Sequence, residues 1–289
     1  MTSLSYAIVT PARNERTNLP RLAGSVIAQH QRPERWVIVD DGSDDGTREI
    51  AAALSEEHDW IAVLDAGSAG GELANGRREG RDLLAFRAGV EALPQPVDVV
   101  IKVDADVSCD ADYFERLVAA FADDPKLGIA SGACWEQDGG VWTRRKVVET
   151  HPRGATRAYR WAAVPELMAL KPVMGWDGLD EIRVSLKGYS TRTLVDLPFR
   201  HHRIEGGREK DRLRAKVLQG TTSWYMGYRP SYLLLRALYR ARDEPVALAI
   251  LWGYARSAVR RAPRCEPEIV RAVRERQRLG MVVRRGSPP

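Results

Sequence analysis

The sequence predicts an α/β fold, with a mostly parallel central sheet flanked by helices and a basic, helical C-terminal extension. Three observations predict it. Short β-branched runs alternate with stretches of helical spacing over the first two-thirds of the chain, as in βαβ units with right-handed crossovers. Two of those runs end in paired carboxylates, Asp40-Asp41 and Asp104-Ala105-Asp106. From Arg200 onward the chain holds 21 Lys and Arg against 8 Asp and Glu, a local balance of +13, so with an overall +5 the first 199 residues carry −8.

Each element has its own signal. Tyr6-Ala7-Ile8-Val9 reads as a strand ended by Pro11. Asn18 to Ala28 reads as a helix, with Pro20 in its first turn. Trp36 to Val39 is the second strand, Thr47 to Glu57 the second helix and Trp60 to Leu64 the third strand. The glycine-rich stretch from Gly67 to Gly76 reads as a loop. Arg81 to Leu93 has helical spacing at Leu84, Ala88 and Leu93, and Val97 to Val103 is the next strand. Tyr113 to Phe121 is helical, and Leu127 to Ala130 extended. Beyond residue 135 the pattern becomes less regular, with Trp135, Trp142 and Trp161 scattered among charges. A helix is expected from Asp177, its cap, to Lys187, stopped by Gly188. Thr193-Leu194-Val195 is a short strand, and mostly helical segments follow Arg200.

At 289 residues the chain can hold one large domain with an appendage. Its 44% hydrophobic and 29% charged residues are ordinary for a soluble globular protein. Three cysteines show neither metal-ligand spacing nor an even-numbered framework, so a reducing cytoplasm is expected. The N-terminus has no signal-peptide pattern. The apolar run from Val246 to Trp252 is far short of the roughly 20 residues that span a bilayer. Nothing calls for nucleic acid. The basic C-terminal third suits an anionic partner, such as phosphate groups or an anionic membrane face. Its helices, around Ser231 to Arg240 and Val246 to Arg261, mix apolar, aromatic and basic residues as interfacial helices do, and plain packing is the alternative.

Carboxylates at strand tips are equipment for binding, because ligands of open α/β sheets lie outside the carboxyl ends of the strands. Asp104 and Asp106, one residue apart on an extended segment, would point to the same side. Mg²⁺ or Mn²⁺ takes hard oxygen ligands, shared between one or two carboxylates and substrate phosphates.

Pro11-Ala12-Arg13-Asn14-Glu15, Val39-Asp40-Asp41-Gly42-Ser43-Asp44-Asp45-Gly46-Thr47 and Asp104-Ala105-Asp106 together resemble the family 2 glycosyltransferases, which have the Rossmann-like GT-A fold. The first two motifs are similar to those of dolichyl-phosphate-mannose synthases. The resemblance covers roughly residues 5 to 205. It implies a catalytic domain over residues 1–205 and a helical basic extension over 206–289, packing on that domain or on a membrane face.

The resemblance also implies roles. Pro11, Arg13 and Glu15 sit where the family wraps the nucleoside. An aromatic residue is usual at the place of Arg13, whose guanidinium plane can also stack on a base. Val39 and Asp41 sit where the base is held, and Asp104, Ala105 and Asp106 where the ribose, metal and donor are held. Arg81, with Arg77 and Arg78, lies near the family's diphosphate-binding basic residue, although a solvated helix face is the alternative. Metal candidates are Asp104, Asp106 and one of His201 and His202. Arg203, Arg208, Lys210 and Arg212 could clamp the diphosphate. The catalytic base maps to Asp177, with Trp176 replacing the family's Glu; Asp180 or Glu181 fills the role if one helical turn is missing.

The implied protein is an inverting, metal-dependent enzyme that moves one sugar from a nucleotide-diphosphate sugar to a hydroxyl acceptor. A lipid-linked or growing saccharide at the cytoplasmic membrane face is the expected acceptor. Gln219-Gly220-Thr221-Thr222-Ser223-Trp224 lacks the Arg before Trp of processive synthases, which favours single addition. Two alternatives stay open. One is a nucleotidyltransferase that makes nucleotide sugars, and the other a nucleotide-binding module that has lost its base.

Overall fold

The computed structural model describes residues 4–67, 80–138, 140–173, 175–202 and 209–278. The expected loop beyond Gly67, Arg77 and Arg78, the clamp residues Arg203 and Arg208, the Lys210 side chain and the tail from Arg284 lie outside the described residues. The chain divides into two compact units, residues 1–172 with 184–204, and residues 173–183 with 205–289.

In the first unit β1 (Tyr6–Ala12), α1 (Leu19–Ile27), β2 (Arg35–Asp40), α2 (Thr47–Glu57), β3 (Ile61–Asp65), α3 (Arg81–Glu91) and β4 (Val99–Val103) follow the expected alternation. Then come β5 (Val107–Cys109), α4 (Tyr113–Asp123), β6 (Leu127–Asp138), β7 (Val141–Arg144), β8 (Thr156–Arg160), a short α5 (Val164–Met168) and β9 (Ser190–His201). The strands form one sheet in the order β3-β2-β1-β4-β8-β6-β9-β5, with β7 beside β6. The first four run parallel, β8 opposes both β4 and β6, and β6 and β9 are parallel. Strands β2 and β4 have nearly continuous buried runs because both sheet faces are covered, as a parallel core requires. Helix α3 approaches β1 and β2 at Gly89, where a Cβ would collide with Val9 Cγ1 and sit 2.9 Å from Val39 Cγ2.

Several boundaries differ from expectation. Strand β1 continues past Pro11 to Ala12, with Pro11 in register with Val39. Pairing with β4 has ended at Val9, so β1 is an edge on that side, where a proline is tolerated. The irregular stretch after residue 135 contains the end of β6, the β7 hairpin and β8. Strand β7 is largely exposed, so no clean alternation marks it. The short strand expected at Thr193 is the middle of the 12-residue β9, which Asp196 and Pro198 disguise. A register shift in the β6–β9 ladder, between Gly132 and Ala133, absorbs that interruption.

The second unit is helical: the start of α6 (Trp176–Leu186), then α7 (Glu209–Tyr225), α8 (Pro230–Ala241), α9 (Ala249–Val259) and α10 (Pro267–Arg276). Helix α6 begins at Trp176, after Gly175 with φ +78°, so Asp177 lies inside the first turn rather than capping it. Gly188, with φ +86°, follows the helix as expected. Helices α7 and α9 meet through glycine: a Cβ on Gly220 would lie 2.7 Å from the Tyr254 backbone nitrogen, and one on Gly253 3.2 Å from that of Thr221. Several arginines hold this unit together. Arg229 Nε donates to Arg274 O at 2.8 Å, Arg274 Nε to Gly227 O at 2.9 Å, and the Arg264 guanidinium lies 4.0 Å from the Trp224 ring centroid. Among the described residues no helix is long and apolar enough to cross a membrane.

Candidate functional site

The three acidic motifs lie at the carboxyl ends of β1, β2 and β4, neighbours in the parallel part of the sheet. The loop after β1 and the loop after β2 are tied together by reciprocal hydrogen bonds. Asn14 N donates to Ser43 Oγ at 3.1 Å, Asp44 N to Asn14 Oδ1 at 3.0 Å, Glu15 N to Thr47 Oγ1 at 2.7 Å and Arg16 N to Asp45 Oδ2 at 3.1 Å. Asn14 takes the left-handed region, with φ +56°, as asparagine tolerates. Asp45 also accepts from Thr47 N at 3.0 Å and from its hydroxyl at 2.5 Å. Burial alone would raise the Asp45 carboxyl; the bonds from Thr47 and the Arg16 N–H outweigh it and hold the group below the usual range. Ser43 and Asp45 thus serve these two loops, and neither caps α2, whose N-cap is Gly46.

Asp41 is held by Arg81, the first residue of α3. Arg81 Nε donates to Oδ2 at 3.0 Å and Nη2 to Oδ1 at 2.6 Å, a bidentate pair. Arg81 is buried at 4% exposure, so it is no solvated helix face. The next residue, Asp82, approaches Lys102 Nζ at 3.8 Å. Lys102 is a buried cation within β4 that also binds Asp104 and donates to Gly154 O at 3.3 Å. The first turn of α3 therefore joins the second motif to the third. One residue of it grips Asp41, and the next shares a lysine with Asp104.

Asp104 to Asp106 form a turn between β4 and β5 rather than an extended segment, with Val107 N donating to Asp104 O at 3.3 Å. The two carboxylates consequently meet different partners. Asp106, nearly buried, places Oδ1 3.3 Å from His201 Nε2. His201 ends β9 in register with Val107 on β5 and Glu136 on β6, and its Nδ1 lies 3.5 Å from Glu136 Oε1. Asp106 and His201 present one oxygen and one nitrogen donor side by side, a set that a divalent cation such as Mn²⁺ accepts, with Asp104 two residues away. His202 turns elsewhere: its Nε2 is 2.7 Å from Ser108 Oγ, and its ring packs edge-on to Trp142 at 5.2 Å. Burial, with Arg21 close by, lowers the His202 pKa.

The other expected residues take varied positions. Pro11 is half-buried and Arg13 exposed. Glu15 is buried and accepts from Asn18 Nδ2 at 2.8 Å. Val39 and Ala105 are buried, Val39 where Gly89 leaves room for it. In the second unit Asp177 is half-buried, Asp180 fully buried with its Oδ1 accepting from Glu181 N at 2.6 Å, and Glu181 buried. Arg212 is exposed.

Four residues around the site escaped the sequence reading: Asp82, Lys102, Glu136 and Arg145. Lys102 carried a usable signal, since a lone charge within a five-residue buried run must have a counter-ion. Glu136 gave none, because β6 was expected to end at Ala130.

The arrangement is that of an α/β protein whose sheet tips hold acidic loops and a His–Asp donor pair. Residues 7–168, more than half of the chain, match Glycosyl transferase family 2, and the chain belongs to that family. It is 35% identical over 124 residues to the succinoglycan biosynthesis protein ExoA of Rhizobium meliloti, a stretch covering 41% of this chain and 33% of that protein. It is 28% identical over 124 residues to the poly-β-1,6-N-acetyl-D-glucosamine synthase of Staphylococcus aureus, covering 41% of this chain and 26% of the synthase. The chain thus spans about a third or less of the length of these relatives. Among solved structures, the mannosyltransferase PcManGT of Pyrobaculum calidifontis, in complex with GDP-Man and Mn²⁺, superposes with a TM-score of 0.58 at 17% identity over 99% of this chain and 77% of that one. GalNAc-T7 with UDP, GalNAc and Mn²⁺ superposes with a TM-score of 0.61 at 15% identity over 100% of this chain and 58% of that one. These two likenesses establish the fold.

Proposed function

We propose that this chain is an inverting, metal-dependent glycosyltransferase that moves a single sugar from a nucleotide-diphosphate sugar to a hydroxyl acceptor in polysaccharide assembly. The observation that carries the proposal is the placement of Asp41 after β2 and of Asp104 and Asp106 after β4, on either side of β1 at the same end of the sheet, with His201 facing Asp106 at 3.3 Å. In this reading the loops after β1 and β2 cradle the nucleoside through Pro11, Arg13, Glu15, Val39 and Asp41, and Arg81 fixes the Asp41 carboxylate. Asp106 and His201, with Asp104, would hold Mg²⁺ or Mn²⁺. The bound cation supplies Lewis acidity for the departing nucleoside diphosphate. Asp177 takes the proton of the acceptor hydroxyl as it attacks, with Asp180 or Glu181 as the other candidates, and attack opposite the leaving group inverts the anomeric carbon.

The names of relatives and neighbours support the donor and cation classes: GDP-Man and Mn²⁺, and UDP, GalNAc and Mn²⁺, accompany the two solved structures, and both curated relatives are named for polysaccharide synthesis. Residues 1–205 act as the catalytic domain and 206–289 as its helical extension. The acceptor is a lipid-linked or growing saccharide, met at an anionic membrane face. One face of α8 supports that contact: Leu234, Leu235, Leu238 and Tyr239 are exposed opposite the buried Leu233 and Ala237, with Arg242 beside the Tyr239 ring.

Trp176, in place of the family's Glu, favours a second reading, a nucleotide-binding module without a base. A thermal-shift screen of UDP, GDP and dTDP, each with and without Mn²⁺, tests the binding site. A metal-dependent response to one nucleotide supports the proposal and fixes the donor class; no response to any sinks it. Donor hydrolysis with Mn²⁺, lost in Asp106→Asn, then separates the enzyme from the inert module.

A further inference from the structure

The His201 imidazole lies between two carboxylates, and only one of them belongs to the acidic motifs. Glu136 sits on β6 in register with His201, buried like it, with Oε1 3.5 Å from Nδ1, while Asp106 Oδ1 lies 3.3 Å from Nε2. The other oxygen of Glu136 accepts from Arg145 Nε at 2.5 Å. Arg145 is itself anchored by its backbone N–H, which donates to Cys134 O at 2.9 Å just beyond the β6–β7 hairpin.

We propose that Glu136, held by Arg145, is a positioning residue that keeps the His201 proton on Nδ1 and directs Nε2 toward Asp106 as a metal ligand. The inference rests on the cation reading above and adds a residue to it. Which imidazole nitrogen carries the proton is set by the partner of the other nitrogen, and metal-binding histidines commonly turn their second nitrogen to a carboxylate. Carboxylates face both nitrogens; a cation held by Asp106 would take the Nε2 lone pair, and Glu136 would then keep the proton on Nδ1.

The opposite assignment, a cation on the Nδ1 side, has donors to offer. Cys134, Glu136 and His201 supply three ligand atoms within 4.8 Å of one another. The Arg145 guanidinium on Glu136 argues against it, since it fixes a positive charge beside any ion bound there. The Nε2 side has the Asp106 carboxylate facing it.

The test measures Mn²⁺ affinity in the full chain, by the electron paramagnetic resonance signal of free Mn²⁺, with GDP or UDP present. Glu136→Gln is expected to weaken Mn²⁺ binding by about 10- to 100-fold. Glu136→Asp, which keeps the charge opposite Arg145, should recover part of the loss and is read alone if the glutamine variant does not fold. Histidine ¹H–¹⁵N spectra of the chain loaded with diamagnetic Mg²⁺ and nucleotide should show His201 protonated on Nδ1 in the parent, a state that Glu136→Gln depopulates. Folded Glu136 variants that bind Mn²⁺ as tightly as the parent, while His201→Ala is weakened, would overturn the inference and leave the cation reading standing. Unaltered binding in His201→Ala as well would overturn both.

Discussion

Arg81 and Asp41, 40 residues apart in sequence, form a part-buried bidentate ion pair that ties the start of α3 to the end of β2. Breaking a buried pair by removing one partner costs about 3–5 kcal/mol, because it leaves the other charge desolvated and uncompensated. Arg81→Met should therefore lower the unfolding free energy by about 3 kcal/mol, read by urea denaturation. Arg81→Lys keeps the charge and loses the fork, so it should fall between parent and Met variant. Equal stability of all three would show that the pair contributes little.

Lys102 answers to Asp104 and Asp82 at once. Lys102→Met strips the cation from between two carboxylates, and about 3 kcal/mol of stability should go with it. The loss should shrink when Asp82→Asn is added, since one of the stranded charges is then gone. A double-mutant cycle in denaturant measures the coupling, and strict additivity would contradict the shared-lysine geometry.

Gly89 marks a tight approach of helix to sheet. Gly89→Ala improves helix propensity but drives a methyl into Val9 and Val39, and overpacking of this kind costs about 1–3 kcal/mol. The melting temperature should fall. A rise would mean that helix α3 can ride outward without penalty.

Asp45 gives the pH dependence. Its folded pKa is held down, so the stability it contributes is fully present above its unfolded value, about 3.9, and is lost as pH falls through the depressed folded value. Carboxyl NMR should find the Asp45 midpoint below that of an unhindered aspartate. Asp45→Asn should flatten the acid limb of the stability curve below about pH 4 while leaving neutral-pH slopes unchanged.

Removal of divalent cations with EDTA should abolish sugar transfer and added Mn²⁺ should restore it. In Asp106→Asn, several kcal/mol of stabilisation of the departing diphosphate would be missing, so turnover with saturating Mn²⁺ should drop by about 100-fold or more. Steady-state rates against Mn²⁺ concentration check this, and undiminished turnover would remove Asp106 from the metal site.

The strands of the parallel core were legible because both faces of the sheet are covered: Val99-Val100-Ile101 and Trp36-Val37-Ile38-Val39 are unbroken apolar runs with no exposed side to dilute them. The antiparallel half was not. Strand β9 carries Asp196 and Pro198 in its middle, and β7 exposes most of its residues, so neither shows a steady period. The site divides in the same way. Asp41 and Asp106 announced themselves at strand ends, whereas Glu136 meets His201 only because β6 and β9 pair in register, a long-range fact with no local signature. Arg81 looked like surface charge because helical spacing cannot report an ion pair formed across the top of a sheet.

The cross-bonded loops after β1 and β2 carry a last consequence. Asn14, Ser43, Asp44, Asp45 and Thr47 form one latticework from two stretches some thirty positions apart. Swapping either stretch alone for that of another member of the family would strand half the mesh. Altered nucleotide preference should travel only when both pieces are transplanted as a set.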